Sequence, residues 1–288
     1  MADPGHRVLT TVSTGGARLH TEIHGQDDAP TLVLAHGWAC NVTFWYPLIR
    51  LLRADHRVVV YDQRGHGRTP ATPGSCSCEA LADDLCAVLD ATLAAGRRAV
   101  VAGHSMGAMS VLAAAARPRL LERAAAVLLC STGADRLVGD SAVLPLRFPA
   151  LRHRGHRLFL TTSLSYGPVT RLAKNIVHYI TMGQDVTEEQ RTAITRMVHA
   201  SPRRARAEWG RVMAGLDLAA HIDLLDLPVA LVHGTADRLT PTAHARRIAA
   251  RLPRPAGYRA LPGVGHMTPY EAPDTVGEIL RSLVKAHA

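Results

Sequence analysis

Residues Gly103-His104-Ser105-Met106-Gly107 set a serine between two glycines, where a strand-like run ends and a helix-like run begins. Ahead of them Ala99-Val100-Val101-Ala102 is short and apolar. Behind them Ala108 to Ala116 is rich in helix formers and stops at Arg117-Pro118. G-x-S-x-G in that setting reads as a nucleophile elbow, a turn so tight that its glycines are needed for clearance. The elbow lifts the hydroxyl to the carboxyl edge of a sheet, with a helix N-terminus aimed at the reacting oxygen. Such a serine needs a base to take its proton and a carboxylate to orient that base.

In strand–elbow–helix serine enzymes the chain order is serine, acid, histidine. Three histidines follow the apolar run 228–233. His287 is penultimate, and His244 sits in a helix-like segment where a surface place is the default. His266, in Leu261-Pro262-Gly263-Val264-Gly265-His266, has the glycine-flanked loop a base requires. The carboxylate should stand just after the preceding strand, and Val232-His233-Gly234-Thr235-Ala236-Asp237 puts Asp237 there. Asp223 and Asp226 precede that strand and fall at its wrong end. Asp62, in Tyr61-Asp62-Gln63-Arg64-Gly65-His66-Gly67, is expected to fix its own loop through backbone bonds. Acyl chemistry also needs oxyanion donors. The N–H of Met106 follows the nucleophile, and the N–H of Trp38, in His36-Gly37-Trp38, is the second candidate. Cys40 either lines the pocket or packs.

The elements that must position these groups alternate. Arg7–Val12 and Ala17–His24 form a leading antiparallel pair. Strands follow at Thr31–Ala35, Arg57–Tyr61, Ala99–Ala102, Ala125–Cys130, Pro228–His233 and Tyr258–Leu261. Helices are expected over Thr43–Leu52, Glu79–Ala95, the elbow helix, Ala243–Leu252 and Asp274–Ala286. Near-continuous apolar strands alternating with helices predict an α/β fold, a mostly parallel central sheet with helices on both faces. Residues 133–220 break the rhythm and read as helices over Pro168–Ile180, Glu188–His199 and Arg203–Leu216, with Leu144–Ser165 as an amphipathic flap. The expected organisation is a core of 1–132 and 221–288 carrying a helical cap of 133–220. Phe159, Tyr166, Tyr179, Met182 and Trp209 are candidates for an apolar pocket lining, or for cap core.

His36-Gly37-Trp38, Tyr61-Asp62-x-Arg64-Gly65-x-Gly67, Gly103-x-Ser105-x-Gly107, Gly234-x-x-Asp237 and Gly265-His266 together resemble the α/β-hydrolase superfamily over nearly the whole chain. The resemblance implies a Ser105–His266–Asp237 triad with the oxyanion donors named above, and no cofactor or metal. Epoxide hydrolases and haloalkane dehalogenases of that fold carry aspartate at the position of Ser105. Epoxide hydrolases also usually follow His-Gly with x-Pro, where this chain has Trp38-Ala39. The expected activity is hydrolysis of a small-molecule carboxylic ester through an acyl-enzyme. Perhydrolysis, acyl transfer or thioester cleavage on the same triad is the alternative. A non-catalytic ligand-binding protein is a reading of another class.

The 288 residues carry 33 Lys and Arg against 24 Asp and Glu, a net charge of +9. Residues 133–220 hold 13 basic and 7 acidic residues, a local net of +6. No nucleic-acid module accompanies that charge, so a solvated basic surface is expected, and a weak peripheral membrane contact through Arg147–Arg157 is allowed. Five cysteines, with Cys76 and Cys78 too close for an ordinary disulfide framework, suit a reducing compartment. The opening residues lack the apolar stretch of a signal peptide, no run reaches membrane-span length, and the expected place is the cytoplasm. Oligomeric state has no signal here.

Overall fold

A computed structural model describes residues 6–72 and 74–288. Eight strands form one sheet: β1 (Arg7–Val12), β2 (Arg18–His24), β3 (Thr31–Ala35), β4 (Arg57–Tyr61), β5 (Ala99–His104), β6 (Ala124–Cys130), β7 (Val229–Gly234) and β8 (Pro255–Leu261). Their spatial order is β1-β2-β4-β3-β5-β6-β7-β8. β2 runs antiparallel to β1 and β4, and the remaining pairs are parallel. The chain departs from β3 to β4 on one side and returns to β5 on the other. That reversal leaves a crevice at the carboxyl ends of β3 and β5, the place where open α/β sheets bind ligands.

The helices are α1 (Tyr46–Leu52), α2 (Cys78–Thr92), α3 (Met106–Ala114), α4 (Pro118–Arg123), α5 (Leu137–Asp140), α6 (Pro149–Thr161), α7 (Arg171–Thr181), α8 (Glu188–Ala200), α9 (Arg203–Ala214), α10 (Ala219–Ile222), α11 (Ala243–Ala249), α12 (Thr268–Glu271) and α13 (Pro273–His287). Alternation along the strands explains why both sheet faces are covered. Val33, Val59, Val101, Val127 and Leu231 pack on one face under α2 and α3, with Leu81, Leu85 and Met109. Leu34, Val60, Val100, Leu128 and Val232 pack on the other under α1 and α13, with Leu48, Leu52, Leu280 and Leu283. Burial on both faces is what the continuous apolar strands encode.

Between β6 and β7, helices α5–α9 interrupt the alternation, and α10 straddles the return. Their starts follow local chemistry. The Thr187 hydroxyl accepts from the Gln190 N–H and the Gln190 side chain bonds back to the Thr187 N–H, a capping box opening α8. Two indoles tie the inserted helices down: Trp209 Nε1 donates to Arg64 O at 2.8 Å, and Trp38 Nε1 donates to Arg206 O at 2.8 Å. α6 and α9 cross so closely that a Cβ on Gly210 would lie 1.8 Å from Leu160 O. The expected flap is therefore a seated helix, α6.

The elbow is set by sterics. Ser105 has φ 52° and ψ −116°, a backbone region that L-residues hold only when their surroundings enforce it. A Cβ on Gly107 would come within 2.0 Å of Ala35 O, and one on Gly103 within 2.4 Å of Ala108 N. Gly107→Ala is therefore expected to destabilise the fold by on the order of 3 kcal/mol or more, because β3 backbone would have to move. Gly139→Ala, with open space around it, should stay within about 0.5 kcal/mol of the parent. Denaturant melts of the two variants decide this, and equal midpoints would refute the steric account.

Candidate active site

Ser105, His266 and Trp38 line one cavity of about 210 Å³ at the carboxyl end of the sheet, between β3, β5 and the inserted helices. Ser105 reaches it from the elbow, with its N–H donating to Cys130 O at 3.0 Å and its carbonyl accepting from Thr132 Oγ1 at 2.9 Å. Asp237 stands three residues beyond β7 and His266 five beyond β8. The His266 Nδ1–H donates to Asp237 Oδ2 at 2.8 Å. A proton on Nδ1 leaves Nε2, on the ring edge away from Asp237, with a free lone pair. No direct hydrogen bond joins Ser105 Oγ to His266 among the described residues.

Asp237 is buried and its carboxylate is saturated. Oδ1 accepts the N–H groups of Leu239 and Thr240, each at 2.9 Å, and Oδ2 accepts the Thr240 hydroxyl at 2.9 Å. His233 Nε2 stands 3.3 Å from the same Oδ2. Burial alone would raise this carboxyl. The adjacent imidazoles of His266 and His233 outweigh it and hold the group well below the ordinary carboxylate range. The His266 loop is fixed by Glu271, whose Oε2 accepts from Gly183 N at 2.7 Å and Gly265 N at 3.0 Å, and whose Oε1 accepts from Met267 N at 3.0 Å. His104 Nε2 donates to His266 O at 2.9 Å, and its ring stacks on Phe44. Thr240, His233 and Glu271 escape sequence inspection: nothing in their spacing announces that they would meet Asp237 or His266.

The two residues expected to supply oxyanion donors lie close to Ser105 in the fold. Met106 is the first residue of α3, directly after Ser105. A Cβ on Gly37 would sit 3.2 Å from Ser105 Cβ and 2.7 Å from His104 Nδ1, so the Gly37–Trp38 backbone passes against the elbow. Neighbouring loops hold that segment in place. Ala39, at φ 58°, donates its N–H to His66 Nε2 at 3.2 Å, and the His66 Nδ1–H donates to Arg64 O at 3.0 Å. His36 accepts from Gln63 N at Nε2 (3.1 Å) and donates from Nδ1 to Gly37 O (2.8 Å). Asp62 plays the structural part expected of it, accepting Val42 N at 2.7 Å and Arg68 N at 2.8 Å.

The cavity wall decides between readings the sequence left open and overturns one expectation, the surface place of His244. Phe159 and Tyr166 line it, joined by Leu160, Val177, Ile180 and Met213. Trp209 and Met182 are instead buried in the packing, and Tyr179 faces outward beneath the Arg238 guanidinium. Cys40 packs inside, and all five cysteines are free thiols. His244 is not on the surface: it is 1% exposed, against Gly133. α11 turns that face toward the sheet.

Sheet topology, elbow and the Asp237–His266 pair define an α/β hydrolase. A family profile described as the alpha/beta hydrolase family matches residues 32–279, and the chain belongs to that family. It is 29% identical over 240 residues to a putative carbamate hydrolase RutD of Stutzerimonas stutzeri, covering 82% of this chain and 85% of that one. Identity is 25% over 263 residues with a bifunctional esterase/perhydrolase DCH of Acinetobacter calcoaceticus, covering 91% and 94%. Among solved structures, a thermophilic esterase from Thermogutta terrifontis superposes with a TM-score of 0.79 at 25% identity, over 98% of this chain and 99% of that one.

Burial depresses the imidazoles behind the site: it pushes His36 down to about 4, His66 down to about 3, and His104 well below its ordinary value. A group with a lowered native pKa is protonated first in the unfolded chain. Its stabilising contribution is complete above pH ~6.5 and is lost as pH falls toward the native value. Each of the three adds at most about 1.4 kcal/mol per pH unit to that loss. Calorimetry from pH 8 to pH 5 should show Tm level above ~6.5 and falling below it. A Tm independent of pH across that span would mean these rings accept protons in the native state.

Proposed function

We propose that the chain hydrolyses carboxylic esters through an acyl-enzyme on Ser105. The observation that carries this reading is His266 held by a buried, saturated Asp237 in the cavity that Ser105 faces. Ser105 Oγ attacks the ester carbonyl as His266 Nε2 takes its proton. The Trp38 and Met106 N–H groups bind the oxyanion, and the alcohol leaves with the proton from His266. Water, activated by the same imidazole, then releases the acid. Residues 133–220 act as the cap, and their apolar side chains select a medium acyl or aromatic group. Esterases among the relatives support this choice, and the carbamate and perhydrolase names among them mark its nearest rivals.

Intact-mass analysis after fluorophosphonate treatment tests the nucleophile. A single adduct on the parent, absent from folded Ser105→Ala, is expected; no adduct on the folded parent would favour a ligand-binding protein. Asp237→Asn should lower kcat on an aryl ester by roughly 10³- to 10⁴-fold. Faster turnover of aryl carbamates than of matched esters would replace the ester assignment, and a peroxide-dependent product would point to perhydrolysis.

A peripheral contact with an anionic lipid surface is a second proposal, supported by the outer side of the cap. Nine of the thirteen exposed large hydrophobics among the described residues fall between Leu146 and Tyr179, including Phe148, Leu158, Leu164 and Leu172. Residues 141–184 contain six Arg or Lys and no Asp or Glu. Exposed apolar side chains beside a basic segment, in which Lys174 is paired with Glu188, suit an interface of acyl chains and phosphate headgroups. Sedimentation with anionic vesicles should be strong at low salt and lost in the double variant Leu158→Asp, Leu172→Asp. Binding indifferent to lipid charge and salt would sink it.

A further inference from the structure

We propose that His6, Glu22 and His24 form a structural site for a divalent transition metal of the zinc class. Strand alternation places Glu22 and His24 on one face of β2. The antiparallel register pairs Arg7 with Ile23, so one residue further out His6 stands opposite His24, on that same face. The two imidazoles stack at 4.6 Å with only 8° between their planes. His24 Nε2 lies 3.2 Å and His6 Nε2 3.7 Å from Glu22 Oε2. All three donor atoms fall within 4.8 Å of one another. Tetrahedral bonds of about 2.0–2.2 Å separate neighbouring ligands by roughly 3.4 Å. A small closure would therefore seat an ion, with water completing the shell.

The carboxylate is prepared for that role. Glu22 is fully buried, and His24, His20 and the Tyr46 hydroxyl all reach its carboxylate. Its two oxygens are divided. Oε1 accepts from His20 Nε2 at 2.9 Å and Arg68 Nη1 at 3.2 Å, which orient the group as outer-shell partners orient metal-bound carboxylates. Oε2 takes the Tyr46 hydroxyl at 3.2 Å and otherwise faces the two histidines. The Arg68 charge opposes a cation, but its side chain is 64% exposed and bonds Oε1, not the oxygen that faces the two histidines. None of the three ligands lines the candidate active-site cavity. The ion would thus clamp the start of β1 to β2 and take no part in turnover. A donor set of two imidazoles and one carboxylate favours Zn²⁺ or Co²⁺ over Mg²⁺ or Ca²⁺, which prefer oxygen ligands.

Co²⁺ titrated into the full-length, untagged protein is the probe, since four-coordinate Co²⁺ has intense visible bands that six-coordinate Co²⁺ lacks. One saturable equivalent with those bands, displaced by Zn²⁺, is expected. His6→Ala removes an exposed ligand and should leave the metal-free Tm unchanged while weakening Co²⁺ binding roughly tenfold or more. His153→Ala, an exposed histidine elsewhere, should leave binding unchanged. Zn²⁺ should raise the Tm of the parent and not that of His6→Ala. Absence of saturable binding, six-coordinate spectra alone, or affinity equal in the parent and His6→Ala would each overturn the site.

Discussion

The close approach of α3 to β3 is the constraint on which the rest of the structure depends. With Gly107 pressed against Ala35 O and Gly103 against the Ala108 backbone, the chain has no room for a side chain two residues to either side of Ser105. The serine is forced to φ 52° and its hydroxyl to the crevice at the β3–β5 reversal. Such a conformation persists only where its surroundings over-determine it. Here they do: β5 is buried along its whole length, and α3 is buried at every position. The elbow is strained because the core beneath it is rigid. That same core delivers Gly37 and Trp38 to the other side of the serine.

Much of this is written locally in the chain. β1, β3 and β4 begin and end where the sequence reading places them; β3 and β4 are buried at every position, so their apolar runs are continuous and break sharply at polar turns. Glycine-flanked Ser105 and His266, and Asp237 three residues past its strand, are legible because each motif carries its own backbone requirement. Thr240, His233 and Glu271 are not, since their roles arise from contacts among β7, β8 and α12 that no local pattern encodes. The cavity lining stays undecided in the sequence for a related reason. Trp209 and Phe159 look equally fit to face a ligand, and only the crossing of α6 and α9 decides that Trp209 turns inward to Arg64 while Phe159 meets Trp38 edge-on at 6.0 Å. His244 misleads in the same way, because one helical turn exchanges solvent for sheet.

The inserted helices are held by main-chain carbonyls more than by charge. Arg206 is 1% exposed and donates to Leu164 O, while its guanidinium lies 3.7 Å from the centre of the Tyr166 ring. Its own carbonyl accepts the Trp38 indole N–H. One residue thereby joins the cavity wall at Tyr166 to the segment bearing the candidate oxyanion donor. Stacking over an aromatic face suits a buried guanidinium, which is always charged and weakly hydrated.

Charge in the interior is distributed by one rule, that an ionised group is kept only where donors converge on it. Asp237 qualifies, with two N–H groups, a hydroxyl and His266 around it. His36 and His66 do not: each donates from Nδ1 to a carbonyl and accepts a main-chain N–H at Nε2, and a protonated ring would lose that second bond. Neutrality is therefore structural in these two histidines, because their acceptor nitrogens fix the loops around Trp38. A proton on either would cost a loop contact as well as desolvation.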